Sequence, residues 1–243
     1  MRRVSTPEIL DSDDCHPSEV EASLRDISRI NRWFGGVATT RRLIQRVASA
    51  TGNKSFTMLE IAAGFGEVPR IAAQQLARQG ISLDVTYLDR MQSHLLPGNR
   101  AVVADALALP FPDDSFDLVS CSLFAHHLEP DELVRFGREA LRVSRCAVLI
   151  NDLIRHPLHL ASVYAGFLLM RSYVSRVDGV ASVRRAYVPA EMRQNLSAGV
   201  GPRNQIEISR HFLFRMGVIA WKTGFSAAVE LRSTRQPGAA VST

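Results

Sequence analysis

The chain has 243 residues, 46% hydrophobic and 22% charged, with a net charge of +5. That balance suits one globular domain with additions and a large core rather than two independent domains. Cys15, Cys121 and Cys146 lie far apart with no Cys-x-x-Cys spacing, which excludes a disulfide framework and a cysteine metal site, so no metal is expected. The start, Met1-Arg2-Arg3-Val4-Ser5-Thr6-Pro7-Glu8, has no apolar signal region. The longest apolar run, Leu158 to Met170, is too short to span a bilayer, so a cytoplasmic enzyme without stable membrane insertion is expected.

Charge is uneven along the chain. Residues 8–26 carry Glu8, Asp11, Asp13, Asp14, Glu19, Glu21 and Asp26 against Arg25 alone. From Arg171 onward arginines dominate, through Arg176, Arg184, Arg185, Arg193, Arg203, Arg210, Arg215, Arg232 and Arg235. No compact basic cluster with interleaved aromatics appears, so a solvated surface is the simpler account and no nucleic-acid partner is expected.

Residues 1–15 read as a loose arm. Val20, Leu24, Ile27, Ile30 and Phe34 recur at helical spacing over Pro17 to Phe34, and Gly35-Gly36 breaks that helix. Val37 to Ala50 predicts a second helix, ended by Thr51-Gly52-Asn53. Strands are then predicted at Phe56–Ile61, Ser82–Leu88, Arg100–Ala104, Phe116–Leu123 and Cys146–Ile150, with helices at Val68–Arg78 and Pro130–Val143. This alternation implies right-handed crossovers and a mostly parallel sheet. Leu158 to Val174 is apolar nearly all round and predicts one helix, and another begins near Pro189 with Glu191 in its first turn. Gln205–Ser209 and Phe214–Trp221 predict a closing antiparallel hairpin.

Three segments carry the chemistry. Leu59-Glu60-Ile61-Ala62-Ala63-Gly64-Phe65-Gly66-Glu67-Val68-Pro69 runs a buried strand through a glycine turn into a helix, where the backbone can approach a ligand closely. It departs from the dinucleotide fingerprint, because Pro69 stands where the last glycine or alanine belongs. Val85-Thr86-Tyr87-Leu88-Asp89 is a strand ending in a carboxylate, an acceptor able to bind two donors. Asp105 then precedes a Leu109-Pro110-Phe111-Pro112-Asp113-Asp114-Ser115-Phe116-Asp117 turn into the fourth strand.

In this order the segments resemble the class I S-adenosylmethionine-dependent methyltransferases. The Leu-Pro-Phe turn with Phe124-Ala125-His126-His127-Leu128 is similar to the ubiquinone- and menaquinone-biosynthesis type. The resemblance implies an α/β, Rossmann-like, mostly parallel seven-stranded sheet with a C-terminal antiparallel hairpin strand, N-terminal helices and a helical cap insertion. One methyltransferase domain over 1–243 is expected: an N-terminal helical extension (1–50), a cofactor-binding core (51–152), a cap (153–200), and C-terminal strands and tail (201–243). The resemblance makes S-adenosyl-L-methionine the cofactor. It puts Glu60 at the acidic position, Ala62, Gly64 and Gly66 at the glycine positions (Ala62 replacing the first glycine), Asp89 at the ribose hydroxyls and Asp105 at the adenine. Ala63, Arg90, Ala106, Leu107 and Ser122 complete the expected cofactor contacts.

The acceptor implied is a small molecule, through a hydroxyl of a phenolic, quinone or polyketide-like metabolite. The alternatives are carbon methylation of the quinone type, or a nucleic-acid or protein substrate. Ser120-Cys121-Ser122-Leu123 lacks the Asn/Asp-Pro-Pro-aromatic stretch of enzymes that methylate base amines. A hydroxyl must lose its proton, and His126 and His127, just past the fourth strand, are the candidate catalytic residues. His156 and His159 are further candidates. The cap reading places His156, Tyr164, Phe167, Met170 and Arg184 at the substrate, with Leu168, Tyr173 and Arg185 beside them. A homodimer is compatible with all of this.

Overall fold

The structure is a computed structural model that describes residues 1–11, 16–95, 98 and 100–225. The core is a seven-stranded sheet built from β1 (Ser55–Ile61), β2 (Ser82–Asp89), β3 (Ala101–Val103), β4 (Phe116–Ser122), β5 (Ser144–Leu153), β6 (Ile206–His211) and β7 (Arg215–Trp221). Its order is β3-β2-β1-β4-β5-β7-β6. The first five strands are parallel to one another, and β7 pairs antiparallel with both β5 and β6. The expected parallel sheet and closing hairpin are both present. Strand order reverses between β1 and β4, and ligands of open α/β sheets lie outside the carboxyl ends of strands at such a switch point.

Helices cover both faces. On one side α2 (Gly36–Thr51) packs on β5 and β7, and α3 (Glu67–Ala77) on β2. Leu43, Ile44, Val47, Leu76 and Trp221 are buried there. On the other side α4 (Pro130–Val143) packs on β4 and β5, and α7 (Pro189–Val200) on α4 and β6. Leu133, Phe136, Ala140, Met192 and Leu196 fill that layer. Apolar residues at helical spacing meet the continuous apolar runs of central strands, so burial of both sheet faces drives the fold. Asn151 ties the layers together, donating to Gly36 O (2.8 Å) and Thr40 Oγ1 (2.9 Å).

Two expectations are corrected. The apolar stretch Leu158 to Val174 is not one helix: α5 (Pro157–Ala165) passes into a 3-10 turn, Gly166–Leu169, and a new helix, α6 (Tyr173–Arg185), begins after Ser172. Asp26 in α1 (Pro17–Trp33) makes the break, because its Oδ2 accepts the N–H groups of Arg171 (2.8 Å) and Ser172 (3.0 Å). Those donors would be unpaired at the start of a helix. The wide apolar surface is also less buried than its composition implies, and Leu168 is 96% exposed.

The second correction concerns the arm. Residues 1–11 pack over the α6 end of the molecule. Val4 N–H donates to Arg184 O (3.1 Å), and Arg3 reaches Arg185 O (2.7 Å) and Glu129 (2.8 Å). Asp178 accepts the N–H groups of Ile9 (2.8 Å) and Leu10 (3.1 Å). Cys15 and the tail beyond residue 225 lie outside the described residues. Among the described residues, no helix is long and apolar enough to cross a membrane.

Candidate active site

The carboxyl ends of β1, β2, β4 and β5 open on a cavity of about 680 Å³, roofed by α1 and α6. At one end the β1–α3 turn folds tightly, with Ala63 N–H on Leu88 O (3.0 Å) and Gly66 N–H on Ala63 O (2.8 Å). Gly66 has φ 64°, and a Cβ there would fall 2.5 Å from the Tyr87 ring. Ala62, where the resemblance wants glycine, also has positive φ, 51°. An L-residue there stores strain that the surrounding strands must hold.

Asp89 ends β2 beneath this turn. Its carboxylate accepts Gly64 N–H and Met91 N–H, both at 3.0 Å, with His94 Nδ1 at 3.5 Å. Burial alone would raise the carboxyl, but hydrogen bonds from His94, Met91 and Gly64 outweigh it and hold the pKa below the usual value. A carboxylate has about four acceptor sites. These three partners leave capacity for a ligand hydroxyl. Asp105 is exposed at the rim, with Oδ1 accepting Leu107 N–H (2.8 Å).

Glu60 sits at the floor, paired across the sheet with Ser120. Burial pushes its carboxyl up to about 7, against the lowering effect of Ser120 and Ser122. Its Oε2 is buried without a hydrogen-bond partner. An uncompensated buried acceptor at the floor of a cavity suits a cationic ligand group. All the expected cofactor residues (Glu60, Ala62, Ala63, Gly64, Gly66, Asp89, Arg90, Asp105, Ala106, Leu107 and Ser122) line the cavity.

The far end is lined by Leu153, His159, Val163, Met170, Val183 and Arg215, with the histidine pair between the two ends. His126 is buried and doubly held: Asp152 Oδ2 accepts its N–H (2.9 Å), and Asp152 Oδ1 lies 2.6 Å from its Nδ1. Its Nε2 lies 3.4 Å from Glu8 Oε1, and His127 Nε2 lies 3.7 Å from Glu8 Oε2. Burial would lower the His126 pKa, but the Asp152 and Glu8 carboxylates outweigh it and push it up to about 10. His159 stacks on Phe214, and burial, helped by Arg215, pushes its ring down to about 4. Arg215 is buried, with Nη2 on Asn31 Oδ1 (2.6 Å) and Nη1 unpaired.

Other expected substrate residues fall outside this wall. His156 is exposed and caps α5, its Nδ1 accepting Leu158 N–H (3.2 Å). Tyr164, Leu168 and Tyr173 are exposed, and Phe167 packs edge-on against Tyr164. The helix break turns these side chains away, leaving Met170 in the wall. Arg184 is exposed, whereas Arg185 is buried, lines the cavity and donates to His127 O (2.7 Å). Sequence patterns alone do not assign Glu8, Asp152 and Arg215 to the site. Asp152 stood at a strand end, where a carboxylate signal was available. Glu8 and Arg215 are placed by contacts across almost the whole chain, and no local pattern marks them.

The tight turn after β1 and the carboxylate at the end of β2 lie together at the switch point of the parallel sheet, where open α/β sheets take their ligands. Residues 59–146 match a family model described as a methyltransferase domain. The fold is similar to a SAM dependent methyltransferase from Aquifex aeolicus, at 16% identity, covering 86% of this chain and 99% of that one, with a TM-score of 0.55. It is also similar to the plantazolicin methyltransferase BpumL, solved with a monoazolic desmethylPZN analog and S-adenosylhomocysteine. That match has 14% identity, covers 85% of this chain and 91% of that one, and has a TM-score of 0.61. No curated protein sequence matches the chain. The family-model match spans residues 59–146, and the fold around it is shared with these solved S-adenosylmethionine-dependent methyltransferases. Within the cavity the Gly64–Gly66 turn allows a close backbone approach, Asp89 keeps spare acceptor capacity and Glu60 carries an unpartnered buried oxygen, an arrangement that S-adenosylmethionine would fit.

Proposed function

We propose that the chain methylates a hydroxyl of a small phenolic, quinone or polyketide-like molecule. The observation that carries this reading is the continuity of one cavity from the Gly64–Asp89 end to the Met170–Arg215 end. At about 680 Å³ it is of the size and partial enclosure that take a cofactor and one small acceptor. Bound S-adenosylmethionine supplies an activated methyl group. The chain's own residues then align the acceptor with it and remove the hydroxyl proton.

The histidine pair lies on this path. His126 is locked by Asp152, so it positions; His127, half-buried, is the more accessible of the two. Arg215 offers an unpaired donor to an acceptor oxygen, and His159 stays neutral beside it. Met170 shapes the apolar wall. A buried cavity with this lining favours a small acceptor over a nucleic acid, whose backbone needs an exposed basic track.

The test is a panel of phenols, hydroxyquinones and their O-blocked ethers, with products read by mass spectrometry. Methyl ethers from the free hydroxyls alone are expected. A carbon-methylated product from both the free and the blocked forms would assign the chemistry to carbon instead.

A further inference from the structure

We propose that Glu8, His126 and His127 form a site for one divalent transition-metal ion of the zinc class, opening on the acceptor end of the cavity. This departs from the expectation of a metal-free protein.

The geometry carries it. His126 Nε2 is 3.4 Å from Glu8 Oε1, His127 Nε2 is 3.7 Å from Glu8 Oε2, and the donor atoms all lie within 4.8 Å of one another. Zinc with bonds of about 2.0–2.2 Å in a tetrahedron sets its ligands roughly 3.3–3.5 Å apart. His126 Nε2 is buried and faces Glu8 Oε1 at 3.4 Å, longer than a well-formed hydrogen bond. That arrangement suits a third atom between the two groups. Asp152, bound to Nδ1 of the same ring at 2.6 Å, is the carboxylate that metal-bound histidines usually carry behind them, and it turns Nε2 outward as the ligand atom.

Glu8 is held from its far side. Ser182 Oγ donates to its Oε1 at 2.9 Å, and Asp178 pins the next two backbone N–H groups. Arg185 Nη1, 4.0 Å from Glu8 Oε1, is the charge that opposes an ion, and the carboxylates of Glu8 and Asp152 outnumber it. Three protein ligands leave a coordination position for a water or an acceptor oxygen. A hydroxyl bound there would lose its proton more readily. That last step rests on the proposed hydroxyl methylation, whereas metal binding does not.

The test uses chelator-treated full-length protein, titrated with zinc chloride by calorimetry and with cobalt(II) by absorption spectroscopy. One ion per chain is expected at micromolar affinity or tighter, with an intense cobalt spectrum of low coordination number. His127→Ala and Glu8→Gln should each weaken zinc at least about tenfold, and Asp152→Asn about 10- to 100-fold. His156→Ala should not change the affinity. Each variant is checked for retained stabilisation by S-adenosylhomocysteine. No saturable uptake, a weak six-coordinate cobalt spectrum in the wild type, or equal affinity in His127→Ala and wild type would overturn the site. Failure to methylate any hydroxyl, with zinc bound as described, would count against the acceptor reading alone.

Discussion

Asp152 holds His126 by both its ring and its main chain: Oδ1 lies 2.6 Å from Nδ1, and Oδ2 accepts the backbone N–H at 2.9 Å. Both residues are almost fully buried, at 1% and 2% exposure. One side chain at the end of β5 therefore sets the geometry of the turn that follows β4. Removing one partner of a buried pair leaves the other uncompensated, which costs about 3–5 kcal/mol. Asp152→Ala should lower the unfolding free energy by that amount in urea titrations. A loss of under about 1 kcal/mol, within the range of exposed pairs, would show that the pair does not hold the turn.

Glu60 should give the proposed cofactor site a pH dependence. Burial raises its folded-state pKa from 4.5 to about 7, so below about 7 the empty protein holds a proton there. A cationic ligand favours the carboxylate, so S-adenosylmethionine should bind more tightly as pH rises from about 6 to 8, approaching tenfold per unit on the acid side. Calorimetry in buffers of different ionisation enthalpy should show proton release at pH 7. Glu60→Gln should flatten the profile. For the empty protein the sign is opposite. A raised carboxyl pKa costs stability progressively as pH climbs from 4.5 through 7, so Glu60→Gln should be the more stable form at pH 8, by about 3 kcal/mol.

Asp89→Ala should weaken S-adenosylhomocysteine far more than it weakens the fold. Two hydrogen bonds to a charged acceptor, partly offset by water, amount to about 2–4 kcal/mol, or roughly 30- to 800-fold in Kd. The same carboxylate holds Gly64 N–H, so part of the loss reflects a loosened turn. An unchanged Kd in a folded variant would remove Asp89 from the cofactor site.

Met170 and Phe167 distinguish the two sides of the segment between α5 and α6. Met170 lines the cavity, whereas Phe167 packs on Tyr164 outside it. Met170→Ala should reorder kcat/KM across acceptors of different size with S-adenosylhomocysteine affinity unchanged. Phe167→Ala should leave that order intact. The reverse pattern would place the acceptor on the outer face of α5.

What the sequence made legible was local. Strand–helix alternation, the turn after Glu60 and the carboxylate ending β2 are each written within a few residues. These residues come together at one end of the cavity once the sheet is parallel. The acceptor half depends on contacts of long range: Glu8 with Ser182, Asp26 with Ser172, and Arg215 with Asn31. Apolar periodicity places a helix over Leu158 to Val174, but it cannot register that a carboxylate from α1 claims the backbone of Arg171 and Ser172. That interaction lies at the break between α5 and α6. A polar composition predicts a loose arm over residues 1–15, yet polar groups of residues 1–11 are the ones that bind it to the α6 end.

The most direct measurement is the fate of a labelled methyl group. Purified protein is incubated with methyl-labelled S-adenosylmethionine and a mixed pool of phenols and hydroxyquinones, in parallel with RNA and with protein substrates. The account predicts label in the small-molecule fraction, with one S-adenosylhomocysteine formed per methyl transferred and Met170→Ala changing which acceptors are used. Label incorporated into RNA or protein, with none in the small-molecule pool, would contradict it.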